Sequence, residues 1–184
     1  MTEMVESNTR QATPIELAAL MMDAVCTPSE QEEGALRELA AHLRVPLATL
    51  QTELLFLRAF AVDFAASVSL ADAPEKSAGV DQYNGHWGRI GNEAGEAVLE
   101  DLEVRLTSYA EAAADTSPNP DGLRALVGGQ FAAHCTALND GASNTSTAET
   151  GADLAFLGGS MFAALFEEMA DLFETVEIVL PTKL

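Results

Sequence analysis

Residues 47–70 read LATLQTELLFLRAFAVDFAASVSL. Leu50, Leu54, Leu57, Ala61, Phe64 and Val68 recur at intervals of 4, 3, 4, 3 and 4, the spacing of one helix face. Leu55, Phe56, Phe60 and Val62 fall off that stripe. A helix that is apolar nearly all round is buried nearly all round. The stretch therefore predicts the central helix of an all-α bundle. Arg58 and Asp63 interrupt it, and neither has an opposite charge three or four residues away. A buried charge must be paired or hydrogen-bonded, so their partners must come from other helices or from a polar cavity.

Upstream, Val45-Pro46 breaks the preceding helix, because the residue before proline avoids the α region. Residues 38–54, ELAAHLRVPLATLQTEL, match the spacing of a helix-turn-helix. Thr49, Gln51 and Thr52 would have to reach bases, yet no cation follows before Arg58. From Glu30 to Arg58 five glutamates outnumber three arginines. DNA binders neutralise phosphates with Lys and Arg, so DNA binding through 38–54 is a minority reading and a tight turn between packed helices the better one.

Two further helices are announced by Thr13-Pro14-Ile15-Glu16 and Thr27-Pro28-Ser29-Glu30, each with the form of a capping box with proline at the first helical position. They predict helices at about 14–25 and 28–43. Residues 1–12 read as a flexible tail and 13–184 as a single helical domain. Residues 71–79, ADAPEKSAG, read as a loop. A periodic stretch then runs from Val80 to Ala113 through Tyr83, Trp87, Ile90, Leu102 and Tyr109. As one rod it would be roughly 50 Å long, against a radius of gyration near 16 Å for a chain of this size. Four glycines between 85 and 95 predict a bend or break between 84 and 95.

The last two helices are expected at about 120–139 and 147–174, making about six in all. They share Ala-Leu-Val-Gly-Gly (125–129) and Ala-Phe-Leu-Gly-Gly (155–159). An antiparallel hairpin turning near 145 would set Phe131 against Gly159 and Phe162 against Gly128, each ring filling a glycine notch. Residues 176–181 are β-prone and end at Pro181, with helix or extended structure left open.

At 184 residues a core needs no staples. The net charge of −20 repels nucleic acid and anionic membrane surfaces and favours encounter with basic partners. The first ten residues lack the features of a secretion signal, and the longest apolar run, 154–166, is too short to span a bilayer. With two cysteines, Cys26 and Cys135, the expected compartment is the cytoplasm.

No catalytic or cofactor motif is present. Leu39, Tyr83 and Phe131 stand three before the histidines, so the Glu-x-x-His metal motif is missing, and no Cys-x-x-Cys occurs. The glycines near 85–95 follow no strand, as a phosphate loop would require. The segment Tyr83-Asn84-Gly85-His86-Trp87-Gly88-Arg89 concentrates the chain's only Trp with a Tyr, a His and an Arg. Trp and Arg are frequent binding anchors. Arg58, Tyr83, His86, Trp87 and Arg89 are thus the candidate ligand-binding residues, with no metal and no cofactor implied. The functional expectation is an acidic helical binding, adaptor or chaperone-like protein, leaning away from an enzyme, with a protein or small ligand as partner and self-association compatible. The alternative is a small-molecule site or enzyme around His86, Trp87 and Arg58.

Overall fold

The computed structural model describes residues 10–43, 45–70, 74–94, 96–114, 120–137 and 147–179. Among them the elements run β1 (Arg10–Ala12), α1 (Pro14–Cys26), α2 (Glu30–Leu43), α3 (Leu47–Ser69), α4 (Pro74–Ala94), α5 (Glu96–Ala114), α6 (Pro120–Ala137), α7 (Thr147–Thr175) and β2 (Val176–Ile178). The protein is an all-α bundle, and no described helix is long and apolar enough to cross a membrane.

The central helix is α3, which packs against α1, α2, α5, α6 and α7. Its residues from Phe56 to Val62 are buried without interruption, Arg58 among them. The stripe ends one turn early, because Val68 is exposed. Phe60 and Phe64 join Tyr109 of α5 with Phe162 and Phe166 of α7 in an aromatic cluster, with neighbouring ring centroids 5.3–6.2 Å apart. Contacts at such separations add about 0.5–1.5 kcal/mol beyond burial.

Among the described residues the stretch 80–113 is divided between α4, which ends at Ala94, and α5, which begins at Glu96. Gly85 and Gly88 sit inside intact helix with open space beside them. The expected loop 71–79 is shorter than read: α4 already starts at Pro74, where proline's missing N–H costs nothing. Residues 10–12, expected within the tail, pair in parallel with β2, Arg10 opposite Val176 and Ala12 opposite Ile178. The C-terminal β-prone segment is thus extended over 176–178, and the pair fastens the start of α1 to the end of α7. Asn119, the loop from 140 to 146 and Pro181 lie outside the described residues.

The first capping box forms as read: Thr13 N–H donates to Glu16 Oε2 (2.8 Å) and Glu16 N–H to Thr13 Oγ1 (3.2 Å). The second forms two residues later than read. Ser29 N–H donates to Glu32 Oε2 (2.7 Å) and Glu32 N–H to Ser29 Oγ (3.2 Å). Thr27 is already engaged in closing α1, its N–H bonded to Asp23 O and its hydroxyl to the Asp23 carboxylate. Of two overlapping Ser/Thr-x-x-Glu registers, the one whose cap residue was free prevailed.

The α6–α7 hairpin forms with one of its two expected notches. Phe131 packs on Gly158, one residue from the expected Gly159, so that a Cβ there would lie 2.6 Å from the ring. The atoms nearest a Cβ at Gly128 are backbone atoms of α7 rather than the Phe162 ring, which belongs to the aromatic cluster. Gly128 instead lets the two backbones touch, since a Cβ at that position would lie 2.0 Å from the Ala155 carbonyl oxygen.

Candidate functional site

The question posed by Arg58 is answered by the end of α1. The last carbonyls of a helix have no partner within it and carry partial negative charge. Arg58, 7% exposed, projects from α3 beneath them. Its Nε donates to Ala24 O (2.9 Å), with Val25 O at 3.3 Å, and its Nη2 donates to Ala24 O (2.5 Å) and Thr27 O (3.0 Å). Its Nη1 donates to Glu32 Oε1 of α2 at 2.5 Å. One guanidinium therefore caps α1 and ties the first turn of α2 to the core. Only arginine presents five donors in a planar fork suited to this.

A second buried ion pair went unread in the sequence. Glu53 of α3, 2% exposed, is gripped by Arg105 of α5. Nε lies 3.0 Å from Oε2 and Nη2 2.8 Å from Oε1. The signal was available: Glu53 falls three residues after Leu50 and four before Leu57, on the core face. Arg105 stands in the same relation to Leu102 and Tyr109. Beside the pair, Gln130 Nε2 donates to Ser108 Oγ and lies 3.2 Å from His134 Nε2, itself 3.1 Å from Ser108 Oγ. Burial, reinforced by Arg105, lowers the pKa of His134 and favours the neutral ring. Burial pushes the Cys135 thiol up to about 12, which favours the protonated thiol over the thiolate.

The five candidate residues are not gathered into one site. Tyr83 and Trp87 are buried in the core of α4 as an edge-to-face pair, centroids 6.3 Å apart. His86 and Arg89 lie on the outer side of α4, the Arg89 Nη2 2.8 Å from His86 Nδ1. Arg58 is held by α1 and α2. Asp63, the other charge of α3, faces α4. Burial raises its carboxyl pKa to about 6, with the Tyr83 hydroxyl pulling the other way. Among the described residues no three His, Cys, Asp or Glu side chains are grouped to hold a metal ion.

Two cavities lie along α7, away from these residues except Arg58. A cavity of about 490 Å³ opens between the α1–α2 turn, α2 and α7, with Arg58 and Glu32 at its inner wall and Leu157, Met161 and Leu165 on its α7 side. A second, of about 520 Å³, continues between α2 and α7, lined by Glu38, Leu39, His42, Asp153, Phe156 and Leu157. The two share Ala35 and Leu157, and both open to solvent. Together they form a trough walled by two helices that touch at few places. Phe156 stands at its edge, 72% exposed, with the Arg124 guanidinium 5.4 Å from its ring centroid. The trough includes Arg58 but none of Tyr83, His86, Trp87 and Arg89.

Compared with known proteins, the chain matches no family model, no curated protein and no solved structure.

Proposed function

We propose that this chain is a binding protein of the adaptor or chaperone-like kind, which holds a segment of another protein in the trough between α2 and α7. The observation that carries the reading is the continuity of the two cavities through Ala35 and Leu157, beside an exposed phenylalanine. Cavities of this size suit ligand capture, and phenylalanine is among the aromatic side chains enriched at protein interfaces. A small-molecule site is the weaker reading. Arg58, its main recognition group, already donates to three backbone carbonyls and a carboxylate. Nucleic acid suits a net charge of −20 poorly. The two free thiols, Cys26 exposed and Cys135 buried, suit a reducing compartment, and we read the cytoplasm as the place of action.

The test is affinity capture with the tagged full chain, wild type against Phe156→Ser, the two first shown to melt at the same temperature. A protein retained by the wild type and lost from the variant supports the reading. Identical retention by both would contradict it.

A further inference from the structure

Resting on that reading, we infer that the occupant of the trough is an amphipathic helix with basic residues at both ends of an apolar centre. Four carboxylates stand at the two ends of the trough, Asp23 and Glu168 at one, Glu38 and Asp153 at the other. None of the four is in an ion pair with a described cation. The one carboxylate deep in the trough, Glu32, is already neutralised by Arg58. Between the ends the lining is predominantly apolar and, apart from the Glu32–Arg58 pair, uncharged: Ala35 on α2 and Leu157, Met161 and Leu165 at four-residue intervals on α7, with Gln31 and Ser160 as neutral polar groups. The complementary ligand is therefore apolar in the middle and cationic at each end.

Its backbone should be helical. The walls are two α-helices whose N–H and C=O groups are bonded within themselves. An extended segment would find no ladder to join and would bury unpaired backbone groups. A helix brings its own hydrogen bonds and presents side chains at the same three- and four-residue spacing as the walls. Asp153 and Glu168 are fifteen residues apart on α7, a span of about 22 Å at 1.5 Å per residue. The fitting helix is thus about fifteen residues, or four turns. A second copy of this chain is disfavoured as occupant, because two bodies of charge −20 repel one another.

The test uses the full chain and two fluorescent fifteen-residue peptides with the same Leu/Ala centre, one with Lys pairs at both ends and one with Glu pairs. The Lys-flanked peptide should bind, and Phe156→Ser should weaken it. Asp153→Asn with Glu168→Gln should weaken it about fivefold, the scale of two rim ion pairs, and added salt should do the same. The charge-matched control Glu100→Gln with Asp101→Asn, on the exposed side of α5, should change affinity less than twofold.

Equal weakening by the control pair would mean that the peptide responds to net charge alone, and would overturn the inference. Equal or tighter binding of the Glu-flanked peptide would overturn it too, while leaving the trough as the binding place. If neither peptide binds but Phe156→Ser still releases a captured protein, the inference falls and the proposed function stands. If both experiments are negative, both fall. A dimer in sedimentation that Phe156→Ser dissociates would assign the trough to a second copy and overturn the inference.

Discussion

Helix α7 has two unlike sides. Against α6 it is locked by glycine: Gly128 meets the backbone at Ala155, Gly159 meets the backbone at Arg124, and Phe131 covers Gly158. Against α2 the same helix presents Leu157, Met161 and Leu165 and leaves a trough. The difference lies in what the facing helix offers. Helix α6 supplies glycines and a phenylalanine at matching heights. Helix α2 is acidic and half-exposed, buries Leu36 and Ala40 among its described side chains, and has the Glu32–Arg58 ion pair as its polar anchorage. Removing Cβ atoms brings helices together, whereas charged side chains that require water keep a helix at the surface.

The largest effect is expected at the root of α2. Arg58→Met strands the Glu32 carboxylate and the α1 carbonyls and should cost about 3–5 kcal/mol. Urea unfolding measures the loss, and amide exchange should rise first in α2. Core truncation at Leu57→Ala should cost about 2–5 kcal/mol, and an unchanged melting temperature would deny α3 its central place. On the locked side, Gly128→Ala drives a Cβ into the Ala155 carbonyl and should cost about 3 kcal/mol, at the upper end of overpacking.

An opposite sign is expected at Asp63. Its carboxyl, pushed up to about 6 from 3.8, is penalised when charged, by about 3 kcal/mol at neutral pH. The folded state binds the proton more tightly than the unfolded state. That penalty is therefore absent below about pH 4 and grows as pH rises through 6. Asp63→Asn should raise the melting temperature at pH 7 and leave it unchanged near pH 3.5. The smallest effect sharpens the contrast within one dipeptide. Gly129 has nothing within 4 Å of its Cβ position. Gly129→Ala should stabilise by about 1 kcal/mol through helix propensity alone, whereas its neighbour Gly128 cannot accept the same methyl group.

The bundle was legible in residues 47–70, because an all-round apolar helix has few other places to go. The glycines between 85 and 95 misled in part, since Gly85 and Gly88 lie within α4 without breaking it. The start of α2 was misplaced because two capping registers overlap, and the choice depended on Thr27 being held by α1. Arg58 announced itself as a charge needing partners. Apart from Glu32, the partners were backbone carbonyls, which carry no residue identity for a sequence to display. Glu53 was legible by spacing but entered the reading only as one of the five glutamates between 30 and 58. The trough could not be read at all. It arises from the weak contact between helices remote in sequence, α2 and α7, whose separate patterns look like ordinary amphipathic faces.

The most direct measurement is hydrogen–deuterium exchange of the full chain with and without the Lys-flanked peptide. Protection of residues 31–42 and 153–168, with α5 unchanged, is the expected result. Protection confined to the outer face of α4 around His86 and Arg89, or absent from both walls of the trough, would contradict the account.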